Sequence, residues 1–286
     1  MTNSRNSILG HKHLNGWRLW GLVTGLISVS VIIPLSQIDT TNPAHISGMI
    51  QQTVRLAVPW LFVAFAASSL VYVFPNNFSK WIARNRRIFG LCFAAGMAWQ
   101  LFFILWLVIG SFDYYMAEAY SYYDLSEQIP GYIILFAMTF TSFKFGRSML
   151  SPRQWKFLHK GGIYFIWAVV WSTYWFELYF YDDIQPIDYA YYWMGIAAWG
   201  MRLAAWTKKR RLSKKMKGTL KLSDQIAFGI FTGIGLFLIF FGNFWTPLTP
   251  DTFSDFTFGG WAALFVPFLI LVPLYTAALV ATPARG

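Results

Sequence analysis

Apolar residues fall in long, nearly unbroken runs along this chain, and the polar residues between the runs are clustered and largely basic. A helix needs about 20 mainly apolar residues to cross the hydrocarbon core of a bilayer, and runs of that kind occupy roughly 17–36, 54–75, 88–110, 130–147, 160–180, 187–206, 225–243 and 260–282. The pattern predicts an all-α integral membrane protein with about eight transmembrane helices. Lys144 interrupts the fourth run and Arg202 lies near the end of the sixth; both fit a span if their stems carry the charge to the interface. No small-residue cleavage pattern follows the first run, which therefore reads as a retained helix. Gly229 and Gly233 form a GxxxG continued by Gly235 in the seventh run, expected to let a neighbouring helix approach. Pro267 and Pro273 are expected to kink the eighth.

Charge then orients the spans. With eight helices and the N-terminus inside, segments 77–87, 144–160 and 202–224 join both termini on the cytoplasmic side, and these regions hold every Lys and Arg except Arg55. All acidic residues but Asp224 fall at or beyond the opposite face. Lys and Arg bias sets orientation, so both N- and C-termini are expected to be cytoplasmic. Tyrosines and tryptophans crowd two outer regions, Tyr114 to Tyr123 and Tyr174 to Trp193. They read as an interfacial belt, with a docking surface for a membrane or periplasmic partner as the alternative.

Composition agrees: of 286 residues 56% are hydrophobic and 12% charged, about half the charged fraction of a soluble domain, and mean hydropathy is +0.45. The single cysteine, Cys92, excludes a disulfide framework, iron–sulfur clusters and a Cys-rich zinc site. The net charge of +11 does not indicate nucleic acid, because no reader domain accompanies it. The strongest basic run is Lys208-Lys209-Arg210-Arg211 with Lys214 and Lys215, continued by Lys217 and Lys221. It is expected to attract anionic membrane lipids, or alternatively a cytoplasmic protein partner. His11 and His13 are an exposed terminal pair and a poor metal site. No nucleotide-binding fingerprint is present, Glu177 reads as interfacial, and the spans carry no visible array of carboxylates or histidines for ion transfer.

Three local patterns carry a family likeness. Arg86-Arg87-Ile88-Phe89-Gly90-Leu91 opens the third span, Met138-Thr139 with Thr141-Ser142 closes the fourth, and Trp155-Lys156-Phe157-Leu158-His159-Lys160 with Tyr164 opens the fifth. In their order and spacing, residues 49–207 resemble the ferric-reductase-like transmembrane domain family, in particular the haem-binding membrane subunit of the periplasmic methionine-sulfoxide reductase system. The resemblance implies b-type haem held by histidines on facing helices, and a bacterial inner (cytoplasmic) membrane. Carried over by position, the family's third-span histidine falls on Gln100, the histidine opening the fifth span is retained as His159, and the one 13 residues further on falls on Ser172.

Gln100 is 12 residues beyond Ile88 and Ser172 is 12 beyond Lys160, which places both roughly 18 Å from the cytoplasmic helix ends. An amide and a hydroxyl are poor replacements for imidazole on iron. Gln100 is therefore expected to bond a neighbouring helix, through Ser172 or Thr173, with a role in binding a quinone or other small molecule as the alternative. His159 remains as either an interfacial histidine or the one axial ligand of a haem near the cytoplasmic face. The domain reading is a leading segment 1–48, a ferric-reductase-like core 49–207, a polybasic cytoplasmic loop 208–224 and a C-terminal helix pair 225–286. The functional expectation is a divergent haem-poor or haem-free accessory or scaffold subunit of a membrane complex, with no cofactor. The alternative is an electron-transfer subunit with one atypically ligated haem b at His159.

Overall fold

A computed structural model describes residues 8–119, 122–180 and 184–242. All regular structure among them is helical: α1 Gly16–Leu35, α2 Pro43–Val73, α3 Asn77–Gly110, the single turn α4 Phe112–Tyr114, α5 Tyr122–Phe140, the short α6 Lys144–Ser148, α7 Pro152–Phe180, α8 Pro186–Met216 and α9 Leu222–Phe240. Seven long helices thus stand where seven apolar runs were expected; the eighth run, 260–282, lies outside the described residues. Four of them, α1, α2, α3 and α9, are long and apolar enough to cross a membrane. In α5 the apolar stretch is the shorter Gln128–Phe140. The apolar character of α7 comes largely from aromatic residues, and α8 carries Arg202 and then a basic end.

The helices outrun their apolar runs because capping signals lie in the polar flanks. Asn42 accepts from the Ala44 amide at 3.0 Å with Pro43 behind it, so α2 begins 11 residues before the run at 54. Asn76 and Ser79 form a reciprocal capping box at the start of α3. The polybasic segment likewise proves to be the last turns of α8 down to Met216, not a loop.

Consecutive long helices alternate in direction. The first turn of α1 meets the first turns of α3 through Asn85, whose side chain accepts from the Gly16 amide at 3.0 Å and donates to Asn15 at 3.1 Å. Lys208 near the end of α8 donates to the Tyr72 carbonyl at the end of α2. Trp17 stacks on Phe143 just beyond α5. One end of the bundle therefore gathers the described basic segments, and the other gathers the start of α2 and of α8.

The central helix is α2, which touches α1, α3, α7 and α8. Its Val58, Leu61, Phe62 and Phe65 pack with Trp167, Trp171, Tyr174 and Trp175 of α7 and Tyr192 of α8. Tyr174, Trp175 and Tyr192 are 2–3% exposed, so this part of the aromatic crowd is core and not an interfacial belt. The indoles of Trp167 and Trp171 donate to the Gly195 and Tyr192 carbonyls of α8, at 2.9 and 3.2 Å, which explains why such rings can be buried. Outward, apolar stripes are exposed at Leu22, Leu26, Val29 and Ile33 of α1 and at Ile129, Ile133 and Phe136 of α5, at helical spacing.

The small-residue contact falls elsewhere than expected. Nothing lies within 4 Å of a Cβ built on Gly229 or Gly233, whereas Gly235 and Gly200 bring α9 and α8 together. A Cβ on Gly235 would come 2.8 Å from the Gly200 carbonyl, too close for any other residue. The GxxxG spacing identified the right helix but the wrong face.

Two charges are embedded. Asp188 is completely buried and accepts from Arg55 through both carboxylate oxygens, at 3.0 and 3.1 Å, and from the Gln185 amide at 3.1 Å. Arg202 does not snorkel: it donates from Nε to the Phe65 carbonyl at 2.9 Å and lies 3.7 Å over the Phe65 ring and 4.5 Å over Tyr164. Removing one partner of a buried pair strands the other charge. Asp188→Asn is expected to lower stability by about 3 kcal/mol in thermal unfolding of the detergent-solubilised protein, and Arg55→Met with Asp188→Leu to recover much of that loss.

Candidate functional site

The retained histidine belongs to a junction between α5 and α7. Helix α5 stops at Phe140, where the next two side chains turn back: Thr141 Oγ1 donates to the Ala137 carbonyl at 2.6 Å and Ser142 Oγ to the Met138 carbonyl at 2.7 Å. Gly146 in α6 lies so close to the Phe140 carbonyl that a Cβ would overlap it. Helix α5 thus closes before Lys144, which stands in a separate short helix and does not interrupt it. Ser151 and Gln154 then cap the start of α7, with Gln154 Oε1 accepting from the Ser151 amide and hydroxyl at 2.9 and 2.8 Å.

On this platform Trp155 donates to the Thr141 carbonyl at 3.1 Å, and the Arg147 guanidinium lies 3.9 Å over the indole. The His159 ring stacks on Trp155 at 4.2 Å, and its Nε2 is 3.0 Å from Thr141 Oγ1. Whichever of the two atoms donates, the contact engages the Nε2 edge of the imidazole. An axial haem ligand presents an unprotonated nitrogen to the iron; here the hydroxyl of Thr141 occupies that direction.

Gln100 meets α5. Its Oε1 accepts from the Tyr132 hydroxyl at 2.7 Å. The expected bond to a neighbouring helix is present, but its partner is Tyr132 and not Ser172 or Thr173. Ser172 is fully buried and donates to the Val169 carbonyl of its own helix at 2.7 Å, and Thr173, exposed, donates to the same carbonyl at 3.1 Å. No hydrogen bond joins Gln100 to Ser172. Together the three positions offer an amide oxygen already accepting, a hydroxyl that donates within its own helix and an imidazole whose Nε2 is engaged by Thr141. This donor set does not fit a haem held between two axial ligands. Among the described residues no group of three or more His, Cys, Asp or Glu is placed to hold a metal, and His11 and His13 stack on each other at 5.1 Å.

Half of the polybasic set is used within the chain. Lys208 donates to the Tyr72 carbonyl at 2.6 Å, where it offsets the negative end of α2. Lys209 lies 3.9 Å over the Tyr72 ring, and Lys214 pairs with Asp224 at the start of α9. Arg210 is 5.9 Å from the Trp206 ring, while Arg211 and Lys215 are exposed on the last turns of α8.

Sequence reasoning missed the buried polar group around Asp188. Tyr191 donates to the Arg55 carbonyl at 2.9 Å, Tyr174 packs on Tyr191, and the half-buried Glu177 stands beside the pair with a hydrogen bond to Gln51. The available signal was Arg55 itself, the one basic residue on the wrong side of the charge asymmetry. A charge stranded there requires an opposite charge at the same depth, and Asp188 after Pro186 provides it.

No family model, curated protein or solved structure matches the chain. The site is therefore interpreted on its own geometry. Removing the Tyr132 hydroxyl takes away one interhelical hydrogen bond, worth about 1 kcal/mol in a membrane bundle. Tyr132→Phe is expected to lower the unfolding temperature slightly, and Gln100→Leu in the same background to add little further loss; thermal melts of the three proteins measure this coupling.

Proposed function

We propose that the chain is a divergent, haem-free relative of the ferric-reductase-like membrane proteins that serves as an accessory or scaffold subunit of a membrane complex. One observation carries the reading: of the positions where that family has haem-ligating histidines, Gln100 and His159 are committed to interhelical hydrogen bonds with Tyr132 and Thr141. The polar groups that would face a cofactor instead join α3 and α7 to α5. In this reading the chain crosses a bacterial inner membrane eight times with both termini cytoplasmic, residues 49–207 form the family-like core, and 225–286 add a helix pair. Support comes from the alternation of the helices and from the gathering of described basic residues at one end, since Lys and Arg are retained on the cytoplasmic side.

The visible spectrum of the full chain purified in mild detergent tests the cofactor claim. The expected result is no reducible Soret band; a band near one haem per chain that is lost in His159→Ala would establish the electron-transfer alternative instead. Reporter fusions test the topology. Green fluorescent protein joined after Gly286 is expected to fluoresce, and periplasmic alkaline phosphatase joined there to be inactive; the opposite pair of results would remove one span from the proposal.

A further inference from the structure

A second basic site lies away from the family positions, at the end of the bundle where α1 begins. Residues 8–15 are strapped across the first turns of α3. Trp81 donates to the Leu14 carbonyl at 2.8 Å, Asn15 donates to the Leu9 and His11 carbonyls at 3.0 and 2.8 Å, and the fully buried Asn85 holds Gly16 and Asn15. Between strap and helix lies a cavity of about 470 Å³ lined by Asn15, Gly16, Trp17, Arg84, Arg87 and Ile88 among others.

Its electrostatics are one-sided. Arg84 donates to the Leu9 carbonyl at 3.2 Å. Among the described residues Arg87 has no hydrogen-bond or ion-pair partner; its guanidinium is propped between Trp17 at 5.5 Å and Phe143 at 5.7 Å. The ion pairs among the described residues are Arg55–Asp188 and Lys214–Asp224, so no described carboxylate pairs with either arginine. The first turn of α1 borders the same space and contains no acidic residue, and the Asn15 side chain does not cap it. Two guanidiniums with free donors match phosphate oxygens in charge and geometry. The mouth is apolar: Trp17 is 52% exposed, and the exposed stripe of α1 starts at Leu22, about 7 Å further along the helix.

We propose that this cavity binds the phosphate of an anionic phospholipid, phosphatidylglycerol or a diphosphatidyl relative, with the acyl chains along α1 and Trp17 at the headgroup boundary. Arg84 and Arg87 hold the phosphate; the strap closes the polar side. The site rests on the membrane reading above and is independent of whether haem is bound.

The test uses the full chain in mild detergent, titrated with phosphatidylglycerol, phosphatidylcholine or inorganic phosphate while the melting temperature is followed. Phosphatidylglycerol is expected to raise the melting temperature and phosphatidylcholine not to. R84Q/R87Q is expected to need about tenfold more phosphatidylglycerol for half the effect, and R211Q/K215Q, at the exposed end of α8, to respond as the unaltered chain does. If R84Q/R87Q does not fold, R87Q replaces it, because Arg87 makes no hydrogen bond among the described residues. An unchanged response in the arginine variant would overturn the site, as would an equal shift from inorganic phosphate, which would make it a free-anion site. Extraction separates the two readings: a chain released from membranes by alkaline carbonate alone overturns the membrane reading. Loss of lipid selectivity in a detergent-extracted chain overturns only the site.

Discussion

Asp188 has no exposed surface, and a carboxylate in that position persists as a charge only if its attraction to a partner offsets the loss of water. Arg55 reaches it from α2 with Nη2, which donates to both carboxylate oxygens, and the Gln185 amide supplies a second donor, so the start of α8 is tied to α2 at a defined height. Ten residues further along α2 and 14 along α8, Arg202 returns the connection by donating to the Phe65 carbonyl and lying on the Phe65 ring. A pair of charges anchored in opposite directions holds α8 against sliding along α2. The ring stack of Phe65, Trp167, Trp171 and Tyr192 then packs around a fixed register.

The same requirement, that polar groups in an apolar bundle find partners inside it, governs Gln100 and His159. Gln100 and Tyr132 satisfy each other across α3 and α5, and His159 is satisfied by the hydroxyl that ends α5. These bonds do for packing what a ligated cofactor does in a haem protein, which is to hold helices at matched depth. In the proposed haem-free reading these side chains supply packing contacts and no redox centre. In the proposed scaffold role what matters is the shape and charge of the exposed surfaces.

Those surfaces are asymmetric. At one end the cations are partly absorbed by aromatic rings and helix ends: Arg147 on Trp155, Lys209 on Tyr72, Lys208 on the last turn of α2. Arg84, Arg87, Arg211 and Lys215 are exposed with no carboxylate partner among the described residues. Absorbed cations fix the helix ends, and the exposed ones are where the proposed contact with anionic lipid is drawn. Aromatic rings serve both purposes because they offer apolar area to the core and a negative face to a cation.

Much of this was legible in the chain itself. Seven long helices follow from apolar runs, since a run of about 20 apolar residues has few stable alternatives to a buried or membrane-embedded helix. The split of basic from acidic residues foretold that cations would gather at one end of the bundle, and the lone exception, Arg55, marked the place where a buried charge needed explanation. Helix limits were legible only in part, because caps such as Asn42-Pro43 and Asn76 extend helices into polar residues that hydropathy assigns to loops. What tertiary structure alone decided were the partners. Periodicity cannot say that Gly235 and not Gly233 meets α8, that Gln100 finds Tyr132, that Tyr174 and Trp175 turn inward, or that Arg202 is held by a carbonyl of α2. Depth along a helix can be counted from sequence, but the direction a side chain faces depends on which helix lies beside it, and that is a property of the assembled bundle.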